Sequence, residues 1–118
     1  MNDLIQTLFS AWGDPLADGR AAKTDAAIGP DFTYADPNTP EPLTGRDSYL
    51  AHIAQFGEMM PKASARVVAL SQHTGFARAS VEFLNAGGQR MMLGQYFADM
   101  QNGKVTPLIG FSGTGEPD

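Results

Sequence analysis

The 118-residue chain contains no cysteine, so neither a disulfide framework nor a thiolate metal site can hold it together. Histidine occurs only as His52 and His73, too far apart in sequence for a local ligand pair, and no metal or other cofactor is expected. There is no run of basic residues, and 13 acids against 8 bases leave a formal net charge of −5. Such a balance argues against nucleic acid and against an anionic membrane surface as partners, because both attract clustered Lys and Arg. No apolar stretch approaches the roughly 20 residues that span a bilayer. The opening Met1-Asn2-Asp3 lacks the basic start and apolar run of a secretion signal, so a cytoplasmic protein is the expectation. A Gly-rich phosphate loop and an activated Ser or Cys nucleophile are also missing.

What remains is an ordinary globular mixture, 42% apolar and 18% charged. The length suits one domain, expected over residues 1–112, with a turn-rich flexible tail at 113–118. Leu4, Ile5, Leu8, Phe9 and Trp12 recur at helical spacing and predict a first helix. Asp14-Pro15 reads as the cap and first position of a second helix reaching about Ile28, with a start near Asp18 as the alternative. Gly29-Pro30 closes it. Phe32–Ala35 reads as a strand and residues 36–40 as a loop. Thr44-Gly45-Arg46-Asp47 has the form of a capping box, launching a third helix. Leu50, Ile53, Ala54 and Gly57 make one stripe on that helix; Tyr49, His52, Phe56 and Met60 make another, so it should be sandwiched.

From Ser64 the period changes from helical to alternating. Turn signals at His73-Thr74-Gly75, Ala86-Gly87-Gly88 and Gln101-Asn102-Gly103 divide four runs, 64–72, 76–85, 89–100 and 104–111. Neighbours this close must pair antiparallel. Helices followed by an antiparallel meander define an α+β class. Ala77, Ala79, Val81 and Phe83 form the apolar face of the second run. In the third, Met91, Leu93, Gln95, Phe97 and Asp99 share a row that reads as inward, with Gln95 a lone amide in it.

The segment Pro30-Asp31-Phe32-Thr33-Tyr34-Ala35-Asp36-Pro37, followed by Leu43-Thr44-Gly45-Arg46-Asp47, resembles the strand, loop and helix start of SnoaL-like proteins in the nuclear transport factor 2 (NTF2)-like superfamily. Gly94-Gln95-Tyr96-Phe97, Asn102-Gly103-Lys104-Val105 and Gly110-Phe111 fit as well, so the resemblance runs from about Leu4 to Phe111. It implies a cone: three N-terminal helices on a strongly curved, mainly antiparallel sheet, enclosing an apolar pocket. It also implies a homodimer through the outer sheet face, where Arg78, Ser80, Glu82 and Tyr96 would lie.

The resemblance to ketosteroid isomerases places Asp36 where those enzymes keep a general base, while a loop acid bonded to nearby backbone is the plainer reading. Gln95 and Trp12 fall where those enzymes keep their hydrogen-bond donors, although neither matches a phenol or carboxylic acid in acidity. Trp12 also reads as core. The pocket lining expected is Trp12, Tyr34, His52, Phe56, Met60, Val81, Phe83, Leu93, Phe97 and Phe111, with Met59 and Leu108 beside them. His52 and Asp99 are the candidates for cyclase-type acid–base work. The function implied is binding of a small apolar carbonyl compound, with cofactor-free isomerisation or cyclisation by proton transfer; a non-catalytic binding or dimerisation module is the alternative.

Overall fold

The computed structural model describes residues 2–37, 39–101 and 103–112; the tail expected at 113–118 lies outside them. Three helices pack on one six-stranded sheet. Helix α1 (Asn2–Ser10) runs into a 3-10 turn (Ala11–Gly13), and α2 spans Ala17–Ala27. Ile5, Leu8, Phe9 and Trp12 are all buried, which is the single apolar face that their spacing predicts. The second helix starts two residues later than Asp14-Pro15 suggests, close to the Asp18 alternative. Leu16 occupies the N-cap, and Asp14 instead accepts the Leu16 N–H at 3.0 Å and pairs with Lys23 at 2.8 Å.

Helix α3 (Arg46–Met59) begins where expected but without a capping box. Gly45 is the N-cap at φ 86°, a left-handed conformation that glycine adopts without strain, and no side chain caps the helix. Thr44 is diverted because Leu43–Thr44 forms a short strand, β2, that no feature of the sequence reading signals. It pairs antiparallel with β1 (Thr33–Ala35).

The meander consists of β3 (Ser64–His73), β4 (Phe76–Leu84), β5 (Arg90–Gln101) and β6 (Lys104–Ser112). The strand order is β2-β1-β6-β5-β4-β3, antiparallel throughout except where β1 runs parallel to β6. Register shifts fall at Val67/Ala69, Phe83/Leu84 and Ala98/Met100. Such bulges add twist and bend, which lets a sheet of long strands curl around the helices. The core lies in that concavity: Phe9 and Trp12 meet Tyr34, Tyr49, Val81, Phe83, Tyr96 and Leu108.

One strand face is the reverse of the expectation. Gly94, Tyr96 and Ala98 are the buried row of β5, while Met91 and Phe97 stand 38% and 42% exposed. Tyr96 pairs with Ala79, and Ala98 with Ala77, both on the buried face of β4. Leu93, Gln95, Phe97 and Asp99 therefore belong to the outer face, and Tyr96 does not. Arg78, Ser80 and Glu82 are on the outer face as expected. There Glu82 is buried beneath Arg66 and Arg90, whose guanidinium groups bond its two oxygens, and the Arg90 bond above all holds its carboxyl below the usual range.

Candidate functional site

Strand β1 ends at Ala35, and Asp36 is the first residue beyond it. Pro37 restricts Asp36 to extended geometry, and a turn closes on Thr39. The Asp36 N–H donates to Thr39 Oγ1 at 3.2 Å, and Asp36 O accepts from the Thr39 N–H at 3.1 Å and from its hydroxyl at 3.0 Å. The backbone thus makes the turn, as the plainer reading expects, while the residue also lines a cavity.

That cavity has a volume of about 740 Å³, within the range usual for small-molecule sites. Its floor is aromatic: Trp12, Phe56, Phe83 and Tyr96. Methionines 59, 60 and 92 stand around it, and Asp36 and His52 supply the ionisable groups of its wall. The Asp36 side chain is 7% exposed and that of His52 20%.

A chain of hydrogen bonds converges on the carboxylate. Tyr34 donates its hydroxyl to Asp36 Oδ2 at 2.5 Å, and the Tyr34 and Tyr96 hydroxyl oxygens are 3.2 Å apart. Because the Tyr34 hydrogen serves Asp36, Tyr96 is the donor in the longer bond. His52 Nε2 lies 3.3 Å from the same Oδ2. Four residues from β1, its following turn, α3 and β5 are therefore joined as Tyr96, Tyr34, Asp36, His52. Burial first, then the nearby Tyr96 and Asp36 charges, pushes the Tyr34 phenol far above its ordinary value. Burial, chiefly, raises that of Tyr96 as well. Both phenols stay protonated across the physiological range and can act only as neutral hydrogen-bonding groups.

The expected site residues separate into three sets. Trp12, Asp36, His52, Phe56, Met60 and Phe83 line the cavity together. Tyr34 and Val81 are fully buried behind its wall, Tyr34 reaching it only through Asp36; Leu108 is likewise core. Gln95, Leu93 and Phe97 are corrections. Gln95 faces outward and exchanges hydrogen bonds with Ser80, its Nε2 donating at 2.9 Å and its Oε1 accepting at 3.2 Å. Phe97 packs against Phe111 on the outside, ring centroids 5.8 Å apart, so Phe111 reaches the cavity only at its rim. Asp99 shares the outward row, paired across from Phe76. Trp12 cannot act as an unengaged donor, because its indole N–H is already bonded to the Tyr49 hydroxyl at 2.9 Å.

The residue missed by sequence reasoning is Tyr96, one position from Gln95. Its ring lies over Gly110, the residue paired with it across β6. A β-carbon at Gly110 would come within 2.4 Å of the Tyr96 ring, and one at Gly94 within 3.2 Å. Glycines flanking an aromatic in adjacent strands are the local signal for an inward ring, but they become neighbours only once the register is known.

Several solved structures share this fold. A candidate isomerase of the SnoaL-like family from Agrobacterium tumefaciens superposes with a TM-score of 0.86 at 19% identity, covering 96% of this chain and 97% of that one. IdmH of Streptomyces antibioticus, assigned provisionally as a polyketide cyclase, gives a TM-score of 0.75 at 16% identity over 94% of this chain and 90% of its own. A ketosteroid isomerase candidate from Kribbella flavida gives 0.67 at 24% identity, over 98% and 79%. At these identities the likeness is one of fold. No protein of curated function matches by sequence. The SnoaL-like domain family itself matches residues 5–107, which runs from within α1 to the first part of β6 and takes in every residue of the hydrogen-bonded chain, and the protein belongs to that family within the NTF2-like superfamily.

Proposed function

We propose that this protein binds a small, mostly apolar carbonyl compound in the cone and moves a proton on it without a cofactor, as an isomerase or cyclase. The observation that carries the reading is the Asp36–His52 pair at the wall of an aromatic cavity, with Tyr96, whose hydroxyl meets that of Tyr34, lining the same cavity. The pair supplies an acid–base couple, and Tyr96 a neutral donor for a carbonyl oxygen that gains charge as the proton leaves. These replace Gln95 and Trp12 as the polar partners of Asp36. The structural relatives named as candidate isomerases and cyclases are consistent with such chemistry.

The sole tryptophan, Trp12, lies in the cavity floor and is a built-in reporter. Titrating 2-tetralone, an apolar ketone with acidic α-hydrogens, should quench its emission. The same ketone in deuterium oxide should exchange its α-hydrogens faster with the protein than without. Asp36→Asn should lower that exchange about 100-fold, the scale of general acid–base catalysis, and leave affinity nearly unchanged. Quenching without any accelerated exchange, identical in Asp36→Asn, would instead describe a binding module. For the outer face, the exposed side chains of Phe97, Ile109 and Phe111 are neighbours in register, and we place there the contact of a homodimer. Sedimentation of Phe97→Glu as a monomer beside a dimeric wild type would support it; two monomers would not.

A further inference from the structure

Asp36 and His52 need not share the work equally, and their hydrogen-bond inventory separates them. An ionised carboxylate only accepts. Asp36 Oδ2 already accepts the Tyr34 hydroxyl at 2.5 Å, and with His52 Nε2 at 3.3 Å it is the second partner of that oxygen. A carboxylate facing an imidazole can be satisfied only by an N–H, so Nε2 carries the proton and Nδ1 of the neutral ring is left with the lone pair. His52 is also the more open of the two side chains, 20% exposed against 7%.

We propose that His52 is the group that takes and returns the substrate proton, and that Asp36, fixed by Tyr34, is a positioning residue acting through it. The inference rests on the proton-transfer reading above. In the step, the Cα–H bond of the bound ketone breaks, its proton passes to His52 Nδ1, and the electron pair moves onto the carbonyl oxygen as an enolate. Tyr96 turns its hydroxyl from the long bond with Tyr34 towards that oxygen. The imidazolium formed is stabilised by the Asp36 carboxylate. Return of the proton to carbon restores the neutral ring and leaves nothing oxidised or reduced.

The ring is held for this role from each side. The Trp12 and Tyr34 rings pack against His52 with centroids 5.8 Å and 5.4 Å away, and the groups with charge or titratable protons nearest to it are Asp36 beyond β1 and Tyr34 within it. Aromatic walls fix the ring plane without competing for its nitrogens. The arrangement is of the kind in which a carboxylate sets the tautomer of an imidazole.

Two measurements test it. Long-range ¹H–¹⁵N spectra should show neutral His52 as the Nε2–H tautomer in the wild type and a mixture in Asp36→Asn, a change that a merely structural carboxylate would not produce. Exchange of 2-tetralone α-hydrogens should fall about 100-fold in His52→Ala, and added imidazole should restore it at least several-fold in that variant but not in Asp36→Asn. His52→Gln, which keeps the helix and a polar group, should be equally slow and insensitive to imidazole. Exchange that survives His52→Ala while Asp36→Asn abolishes it, or an Nδ1–H tautomer in the wild type, would overturn the inference alone. Absence of exchange in the wild type would overturn the proton-transfer reading and this inference with it.

Discussion

Replacing Tyr34 by phenylalanine removes one oxygen from the centre of the molecule and leaves the ring in place. Tyr34 is fully buried, so the change in packing is small and the loss is in hydrogen bonding. The bond to Asp36, at 2.5 Å, joins a phenol to a carboxylate, a class worth about 1.5–3 kcal/mol net. The bond from Tyr96 is longer, 3.2 Å, and the Tyr96 hydroxyl is near the cavity, where water can replace Tyr34, so its loss adds about 0.5 kcal/mol. The expected cost is therefore about 2–3.5 kcal/mol, large against the total stability of a domain this size but not enough to unfold it. Urea unfolding followed by Trp12 emission should show a lower midpoint with an unchanged slope. Tyr34→Phe should cost about 1–2 kcal/mol less in an Asp36→Asn background, because the two side chains share one interaction. A loss below about 0.5 kcal/mol, or strict additivity with Asp36→Asn, would show that the hydroxyl–carboxylate bond does not contribute to the fold.

Other consequences concern the remaining tyrosines and the strand faces. All three tyrosines, 34, 49 and 96, have phenols held above their ordinary value chiefly by burial, so the folded state keeps them neutral. Their contribution to stability is complete below the unfolded pKa of about 10 and declines above it as the unfolded chain ionises, so tyrosinate absorbance should appear only together with loss of circular dichroism. A phenol titrating before unfolding would refute this burial. Gly110→Ala should push the Tyr96 ring aside, costing about 1–3 kcal/mol in urea unfolding and weakening 2-tetralone quenching of Trp12; an unchanged midpoint would mean that the ring does not lie over β6. Gln95→Ala should stay within about 0.5 kcal/mol of wild type and leave quenching unaltered, whereas an effect on affinity would return Gln95 to the cavity.

The first helix and the meander were legible because each carries a clear period, i, i+3, i+4 in Leu4 to Trp12 and strict alternation in Ala77 to Phe83, whereas the cone was implied by the resemblance of the Pro30–Pro37 and Leu43–Asp47 segments to SnoaL-like chains. The inward face of β5 was not. Met91, Leu93 and Phe97 are as apolar as Met92, Tyr96 and Ala98, so a period of two fixes the alternation and not its phase. Phase came from register, Tyr96 against Ala79 on one side and Gly110 on the other, which is long-range information. The same slip exchanged Gln95 for Tyr96 in the candidate site and placed Tyr96 on the outer face. The capping box failed for a related reason. Thr44 has the right spacing, but β2 claims its backbone for pairing with Thr33, and Gly45 takes the cap at positive φ. Asp36, His52 and Tyr34 were legible as candidates; that they bond to one another, and through Tyr34 to Tyr96 of β5, was not.

The cavity wall also limits what charge its occupant can bear. Asp36 is its one carboxylate, and no Lys or Arg is among the described residues that line it. A nearly buried carboxylate normally requires either a cation or donors to offset desolvation. Here a phenol and an imidazole are among the groups that meet it, in contrast to the arginines of the Arg66–Glu82–Arg90 cluster on the outside. On the proposed reading, an anionic ligand would face that carboxylate across an aromatic, low-dielectric wall, whereas a neutral ketone would meet a donor at Tyr96 and an acceptor at His52. One carboxylate is thus clamped by arginines on the outer face of the sheet, and the other meets a phenol and an imidazole at the cavity.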